Sequence, residues 1–298
     1  MTGWARAGID VVGGKTSGAP ARRDLRPGIL RALAAAISLA DITIRTRSLT
    51  FARLRLLGKR TPPRTSGRFR FPFGTVRYVD APSLIGQYYE IFVERGYEVN
   101  GLPHAPTIID CGGNIGMSAL WFGRRYPGAR ITVFEADPLL AELLAENVRV
   151  LRSPPIEVRH AAVGDRDGQV TFESDAADGG HVRDGGGISV PAVRLSRYIE
   201  APVDILKVDI EGSEFALLSD LCVTGKIDLV KHIVCEVHTG GTTERQLAEL
   251  WSALLGAGFQ LSLKSAHAAP HLPGQPEPTP FAALASGKSL LQLYAWRP

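Results

Sequence analysis

Hydrophobic positions in this chain follow two rhythms. Between Pro27 and about Leu57, Leu30, Leu33 and Ile37 recur at helical spacing, which predicts one or two helices. Gly58–Gly67 (GKRTPPRTSG) has the proline, glycine and charge content of a linker. Phe69–Val79 then predicts a short hairpin, and Leu84–Tyr97 a helix with Ile85, Tyr88, Tyr89 and Phe92 on its apolar side. After Pro106 the rhythm becomes strand and helix in alternation. Strands are expected at Thr107–Cys111, Arg130–Glu135, Ile156–Ala162, Gln169–Glu173, Asp204–Asp209 and His232–Val237. Helices are expected at Ile115–Tyr126, Leu139–Val150, Ser213–Leu221 and Thr243–Leu255. Asp137 is a natural N-cap with Pro138 in the first turn after it. Phe259–Lys264 and Leu290–Trp296 predict two closing strands, separated by a loop with five prolines in 270–280. Ser174–Gly187 reads as a long polar loop, and residues 1–27 as a poorly ordered lead-in. Apolar strands alternating with helices call for a mostly parallel sheet covered on both faces, an α/β fold.

Composition narrows the class without naming it. At 45% hydrophobic and 21% charged, the 298 residues exclude a disordered, collagen-like or disulfide-scaffold protein. The net charge of +4 hides a split: residues 1–70 carry 15 Lys/Arg against Asp10, Asp24 and Asp41, a net of +12, and the remaining 228 residues carry −8. We therefore divide the chain into a basic, partly helical arm, 1–70, and an acidic body, 71–298. The arm, with Arg45, Arg47, Arg53 and Arg55 close together, is a surface for an acidic partner, for a membrane surface, for self-association into a homo-oligomer, or for water. Cys111, Cys222 and Cys235 are odd in number and contain no C-x-x-C, so they read as reduced, buried fillers in a cytoplasmic protein. No run of about 18 apolar residues is present to span a membrane. Arg22-Arg23 ahead of Ile29–Ala40 loosely resembles a twin-arginine export signal, but Arg31 interrupts the apolar run, and a solvated helix is the preferred reading.

The chemistry concentrates between Thr107 and Pro138. A strand ends in Asp110-Cys111-Gly112-Gly113-Asn114-Ile115-Gly116, and a helix starts there. Glycines at such a turn let backbone approach a ligand and set a helix N-terminus beside it. The next strand ends in Glu135, placed to accept hydrogen bonds from the ribose hydroxyls of a nucleoside. The glycines do not follow G-x-G-x-x-G, so a dinucleotide pyrophosphate fits poorly.

Asp110–Gly116 resembles the first motif of class I S-adenosylmethionine-dependent methyltransferases, in the D-x-G-x-N-x-G form of the FkbM family. Val133–Pro138 (VFEADP), Ala161–Asp165 (AAVGD) and Asp204–Glu214 (DILKVDIEGSE) are similar to the same family, the last matching K-x-D-x-E-G-x-E at Lys207, Asp209, Glu211, Gly212 and Glu214. The likeness covers roughly residues 84–240. It implies a Rossmann-like, seven-stranded class I methyltransferase sheet with a reversed final hairpin. It also implies S-adenosyl-L-methionine as cofactor, with Asp110, Gly112, Asn114 and Gly116 at its methionine end, Glu135 at the ribose, and Ala136, Val163 and Asp165 near adenine. Where the family usually has Ala before the Asn, this chain has Gly113, a change expected to loosen the turn. Glu90 and Tyr97 resemble a family pattern ahead of the glycine loop, and their role stays open between closing over the cofactor and capping.

Methyl transfer to an alcohol needs alignment and a general base. Candidates belong at the C-terminal ends of parallel strands. Lys207 and Asp209 share one face of DILKVDIEG, and Glu236 and His238 one face of HIVCEVH. Asp209, His238 and Lys207 are the catalytic candidates, with Glu211 and Glu236 toward the acceptor. Each has a plainer reading: a Lys207–Asp209 structural pair, a backbone-bonded His238, or Glu211 and Glu214 simply stabilising a helix N-terminus. Asp209, Glu236 and His238 form a feasible divalent-metal set, but their spacing does not establish one, and no metal is assigned. His181, His267 and His271 read as solvent histidines. The expected reaction is O-methylation of a small-molecule hydroxyl, a sugar or natural product, with a carboxyl acceptor or RNA as alternatives. A nicotinamide oxidoreductase would need a G-x-G-x-x-G or Tyr-x-x-x-Lys, and neither occurs. An Asn/Asp-Pro-Pro-aromatic run for nucleobase chemistry is absent too, and the acidic body disfavours a nucleic-acid partner.

Overall fold

A computed structural model describes residues 26–173, 181–182, 187–240, 243–266 and 288–297. The readings of residues 1–25, most of Ser174–Gly187, and the proline-rich loop with His267 and His271 lie outside the described residues, as do the side chains of Leu30, Leu33 and His181. The chain divides into two compact units, Met1–Ser38 and Leu39–Pro298. The described part of the first is the opening stretch of helix α1 (Arg26–Thr46), in which Ile37 is exposed. Among the described residues no helix is long and apolar enough to cross a membrane.

The second unit contains everything else. Ser48 caps α2 (Leu49–Gly58) by accepting from Phe51 N at 3.1 Å, and α2 buries Phe51 and Leu54. Strands β1 (Gly67–Phe71) and β2 (Gly74–Tyr78) pair as the expected hairpin and turn Phe69, Phe71, Val76 and Tyr78 inward. These residues share one hydrophobic cluster with the first half of the main domain, so much of the basic stretch carries core as well as charge. Arg53, for instance, lies over the Phe69 ring. Asp80 caps α3 (Ala81–Tyr88), and a single π-helical turn, Tyr89–Val93, follows. The helix expected through Tyr97 stops earlier because Arg95 takes a left-handed φ of 59° ahead of Gly96.

The alternation after Pro106 builds the main sheet. Its strands are β3 (Thr107–Cys111), β4 (Arg130–Glu135), β5 (Ile156–His160), β10 (Val203–Val208), β11 (Val230–Gly240), β12 (Gln260–Ala266) and β13 (Lys288–Trp296), in spatial order β12-β13-β11-β10-β3-β4-β5. The β5-β4-β3-β10-β11 run is parallel, and β13 is antiparallel to both neighbours, the expected reversed hairpin. Helices α4 (Met117–Arg125), α5 (Pro138–Asn147), α6 (Glu214–Val223) and α7 (Thr243–Gly256) connect these strands. Neighbouring strand residues serve opposite faces: Ile108, Ile205 and Val234 join one cluster, Ile109, Leu206 and Ile233 the other. Cys111 and Cys235 are buried filler as expected, whereas Cys222 is only partly covered.

A second sheet, not foreseen in full, joins β6 (Ala162–Gly164), β7 (Gly168–Glu173), β8 (His181–Val182) and β9 (Ile188–Arg194) in the order β6-β9-β7-β8. Pro191 argues against a strand there. It is tolerated because β6 pairs only with Ala192–Arg194, leaving Pro191 a strand neighbour on one side, at Gln169.

Candidate active site

The order of the main sheet reverses between β3 and β10. In open α/β sheets a crevice forms outside the strand ends at such a switch point. Two loops meet there, Gly112–Gly116 after β3 and Asp209–Ser213 after β10. Gly112, Asn114 and Gly116 have φ of 89°, 48° and 94°, so the first loop is a run of left-handed turns. Gly112 N and Gly113 N donate to Phe134 O at 3.0 and 2.9 Å, and Gly116 N to Gly113 O at 2.8 Å. Approach between the loops is close: a Cβ on Gly112 would lie 1.7 Å from Asp209 O. We expect Gly112→Ala to cost about 3 kcal/mol or more in urea denaturation, since the clash is with backbone; a variant of wild-type stability would show that the two loops do not pack this way. At Gly113 a Cβ would meet Val133 Cγ1 and Leu144 Cδ1 at 2.3 and 2.4 Å. Glycine there admits side chains that an alanine would displace.

The loops are held from beneath by an ion cluster. Lys207 Nζ donates to Gly112 O at 2.5 Å and lies 3.3 Å from both Asp110 Oδ1 and Asp209 Oδ2. Ser118 Oγ donates to Asp110 Oδ2 at 2.5 Å. Burial opposes charge on Lys207, but Asp110 and Asp209 outweigh it and hold the ammonium charged, while burial raises the Asp110 carboxyl. Asp110 has no exposed surface and Lys207 is 3% exposed, so both lie beneath the loop that Lys207 holds.

Glu135 ends β4, where Oε2 accepts from Asn114 N at 2.6 Å and Oε1 from Asp137 N at 2.9 Å. Each oxygen keeps a lone pair, and the carboxylate is aimed by two backbone donors. Burial raises its pKa to about 7 despite those donors. The left-handed glycine loop and this acid fit a nucleoside cofactor, with Glu135 offering a ribose-sized pair of acceptors beside the loop. Ala136 is only partly buried beside them, packed on Ala162, Phe172 and Val190. Val163 does not present its side chain to the crevice, because β6 turns it into the core with Phe134 and Leu195. Asp165 is exposed, in the turn between β6 and β7, with Arg166 at 3.9 Å.

Beyond β10 and β11 lies the acidic end. Glu211 has a left-handed φ of 54°. Glu214, fully buried at the start of α6, accepts from Ile210 N and Gly212 N at 3.1 and 3.0 Å, closing the loop on itself. Opposite, His238 Nδ1 donates to Glu214 Oε1 at 3.1 Å, and Nε2 stands 3.2 Å from Glu211 Oε2 and 3.9 Å from Glu236 Oε1. Burial alone would lower the His238 pKa, but Glu214, Glu211 and Asp209 overcome it and raise it to about 9. These carboxylates favour the protonated imidazole. Its contact is a buried side chain and not backbone. Glu214 belongs to this cluster as much as to a helix terminus; the S-E step in the motif was its only sequence signal. Glu236 is lifted to about 9 by burial and by Asp209 and Glu90. Glu90, in the π-helical turn, is lifted to about 7 by burial and Asp209, so the structure sets it in the same charge cluster. Tyr294 of β13 feels the same carboxylates, and burial with Glu90 pushes its hydroxyl up to about 12. Tyr294 carries no signal in the sequence for this place, whereas Glu90 is singled out there by its resemblance to a family pattern.

A seven-stranded sheet with a reversed final strand, a glycine cradle at its switch point and an acid at the end of the next strand define a class I S-adenosylmethionine-dependent methyltransferase. Residues 110–261 match the model of the methyltransferase FkbM domain, and the chain belongs to that family. It is 27% identical over 177 residues to Methyltransferase 1 of Beauveria bassiana, an alignment covering 50% of this chain and 71% of that one. Identity is 29% to the 31-O-demethyl-FK506 methyltransferase FkbM of Streptomyces tacrolimicus, over 64% of this chain and 87% of the relative. It is also 29% to the 2-O-methyltransferase NoeI of Sinorhizobium fredii, over 42% and 60% respectively.

Proposed function

We propose that this chain methylates a hydroxyl oxygen of a small molecule, a sugar or natural product. The observation that carries this reading is the half-buried Asp209 carboxylate at the end of β10, against the glycine loop and flanked by Glu211 and Glu236. S-adenosylmethionine, when bound, supplies a methyl group activated by its sulfonium charge. The chain supplies position and a proton acceptor. Lys207 fixes Gly112 and Asp209 relative to each other, Glu135 holds the ribose, and an Asp209 oxygen takes the proton of the acceptor hydroxyl. The names of two relatives, a 31-O-demethyl-FK506 methyltransferase and a 2-O-methyltransferase, support oxygen as the receiving atom. A −8 body favours a small acceptor over nucleic acid.

Asp209→Asn is expected to lower kcat on hydroxyl acceptors by about 100-fold or more, the range of general base catalysis, with S-adenosylmethionine affinity nearly unchanged. An acceptor carboxylate needs no base, so a rate that survives the substitution would move the assignment to carboxyl methylation. Turnover confined to acceptors with neither hydroxyl nor carboxyl would overturn it.

A further inference from the structure

We propose that Asp209, Glu211 and His238 bind a divalent first-row metal ion at the acceptor end of the crevice. The proposal rests on the reading of this crevice as the methyl-transfer site and adds an ion to it. One ligand atom from each of the three side chains lies within 4.8 Å of the others, at the ends of two adjacent parallel strands. The donors are two carboxylates and an imidazole, a mixed oxygen and nitrogen set that suits a first-row ion.

A second observation comes from outside the three. His238 Nδ1–H is committed to Glu214 Oε1 at 3.1 Å, and Glu214 is itself locked by two backbone N–H groups and wholly buried. Metal-ligating histidines carry this support, a carboxylate on one ring nitrogen that fixes the tautomer and aims the other nitrogen at the ion. Here the aimed atom is Nε2, and it points at Glu211 Oε2. Charge makes the same case. Glu90, Asp209, Glu211 and Glu236 crowd the strand ends, and the cations facing them among the described residues include Lys207, His238 and, toward Glu90, Lys264. Lys207 is already spent on Asp110, Asp209 and Gly112 O. An ion seated among the three ligands would stand between Nε2 and the Asp209 and Glu211 carboxylates. Three protein ligands leave coordination positions for an acceptor oxygen, whose hydroxyl the ion would acidify.

The test is a titration of the full chain with Mn2+, read by loss of the free-ion signal in electron paramagnetic resonance, with S-adenosylmethionine binding measured on the same samples. One Mn2+ per chain is expected. Glu211→Gln and His238→Ala should each weaken it about 10-fold or more, as loss of metal-site groups does. Glu249→Gln, on the exposed face of α7, should leave it unchanged. Circular dichroism melts on both site variants separate lost binding from lost fold. Absence of Mn2+ binding at millimolar concentration overturns the metal proposal, as does binding that survives in both site variants. If S-adenosylmethionine still binds in that case, the methyltransferase reading stands without the ion.

Discussion

Replacing Glu135 by alanine is expected to abolish useful S-adenosylmethionine affinity while leaving a folded protein. The side chain offers both ribose hydroxyls a charged acceptor, and hydrogen bonds to a charged group contribute roughly 1.5–3 kcal/mol each. Loss of the pair corresponds to about 3 kcal/mol or more, a weakening on the order of 100-fold by calorimetry. The same carboxylate gives a pH signature. Burial lifts it to about 7 in the free protein, so lowering the pH protonates the acceptor that the ribose needs. Affinity should fall below about pH 7, approaching about 10-fold per unit until the bound protein also takes up the proton. Glu135→Gln should flatten this dependence. Stability moves the other way: a carboxyl raised above its unfolded value costs the fold as it ionises, so this contribution declines between about pH 4.5 and 7. A pH-independent affinity in the wild type would remove Glu135 from the ribose.

Lys207→Met should be the most destabilising substitution in the crevice. The methionine fits the volume but leaves Asp110 fully buried beside no cation, with Ser118 its remaining donor. Breaking a buried pair by removing one partner costs about 3–5 kcal/mol, because the other charge stays behind. Urea denaturation should show that loss, and S-adenosylmethionine binding should fall with it, since Gly112 O and Asp209 lose their shared anchor. Adding Asp110→Asn to Lys207→Met should restore part of the stability without restoring turnover. Additive losses in the double variant would mean the two charges do not interact across β3 and β10.

Much of the fold is legible along the chain because each strand–helix step carries its own signal. Thr107–Cys111 and Arg130–Glu135 are found where the β-branched runs lie, and Asp137-Pro138 starts α5 as capping requires. What failed has local causes. The helix after Leu84 ends at Val93, because the left-handed Arg95 depends on packing that periodicity does not record. Strand β9 contains Pro191, whose tolerance depends on how short β6 is.

By itself the sequence determined the α/β class, the two closing strands, the glycine cradle and the acid at the end of β4. These are properties of one segment at a time, written as runs, caps and short motifs. Tertiary structure decided which acids are tools and which are supports. Asp110 and Lys207 read along the chain as a cofactor-binding acid and a catalytic candidate, and parallel pairing of β3 with β10 puts them opposite one another and buries both. His238 reads along the chain as a strand-end imidazole, and only the fold brings Glu214, 24 residues away, to accept from its Nδ1 and Glu211 to face its Nε2. Protonation state and role are set by the charges and burial around a side chain, and those neighbours arrive from distant strands only when the sheet closes.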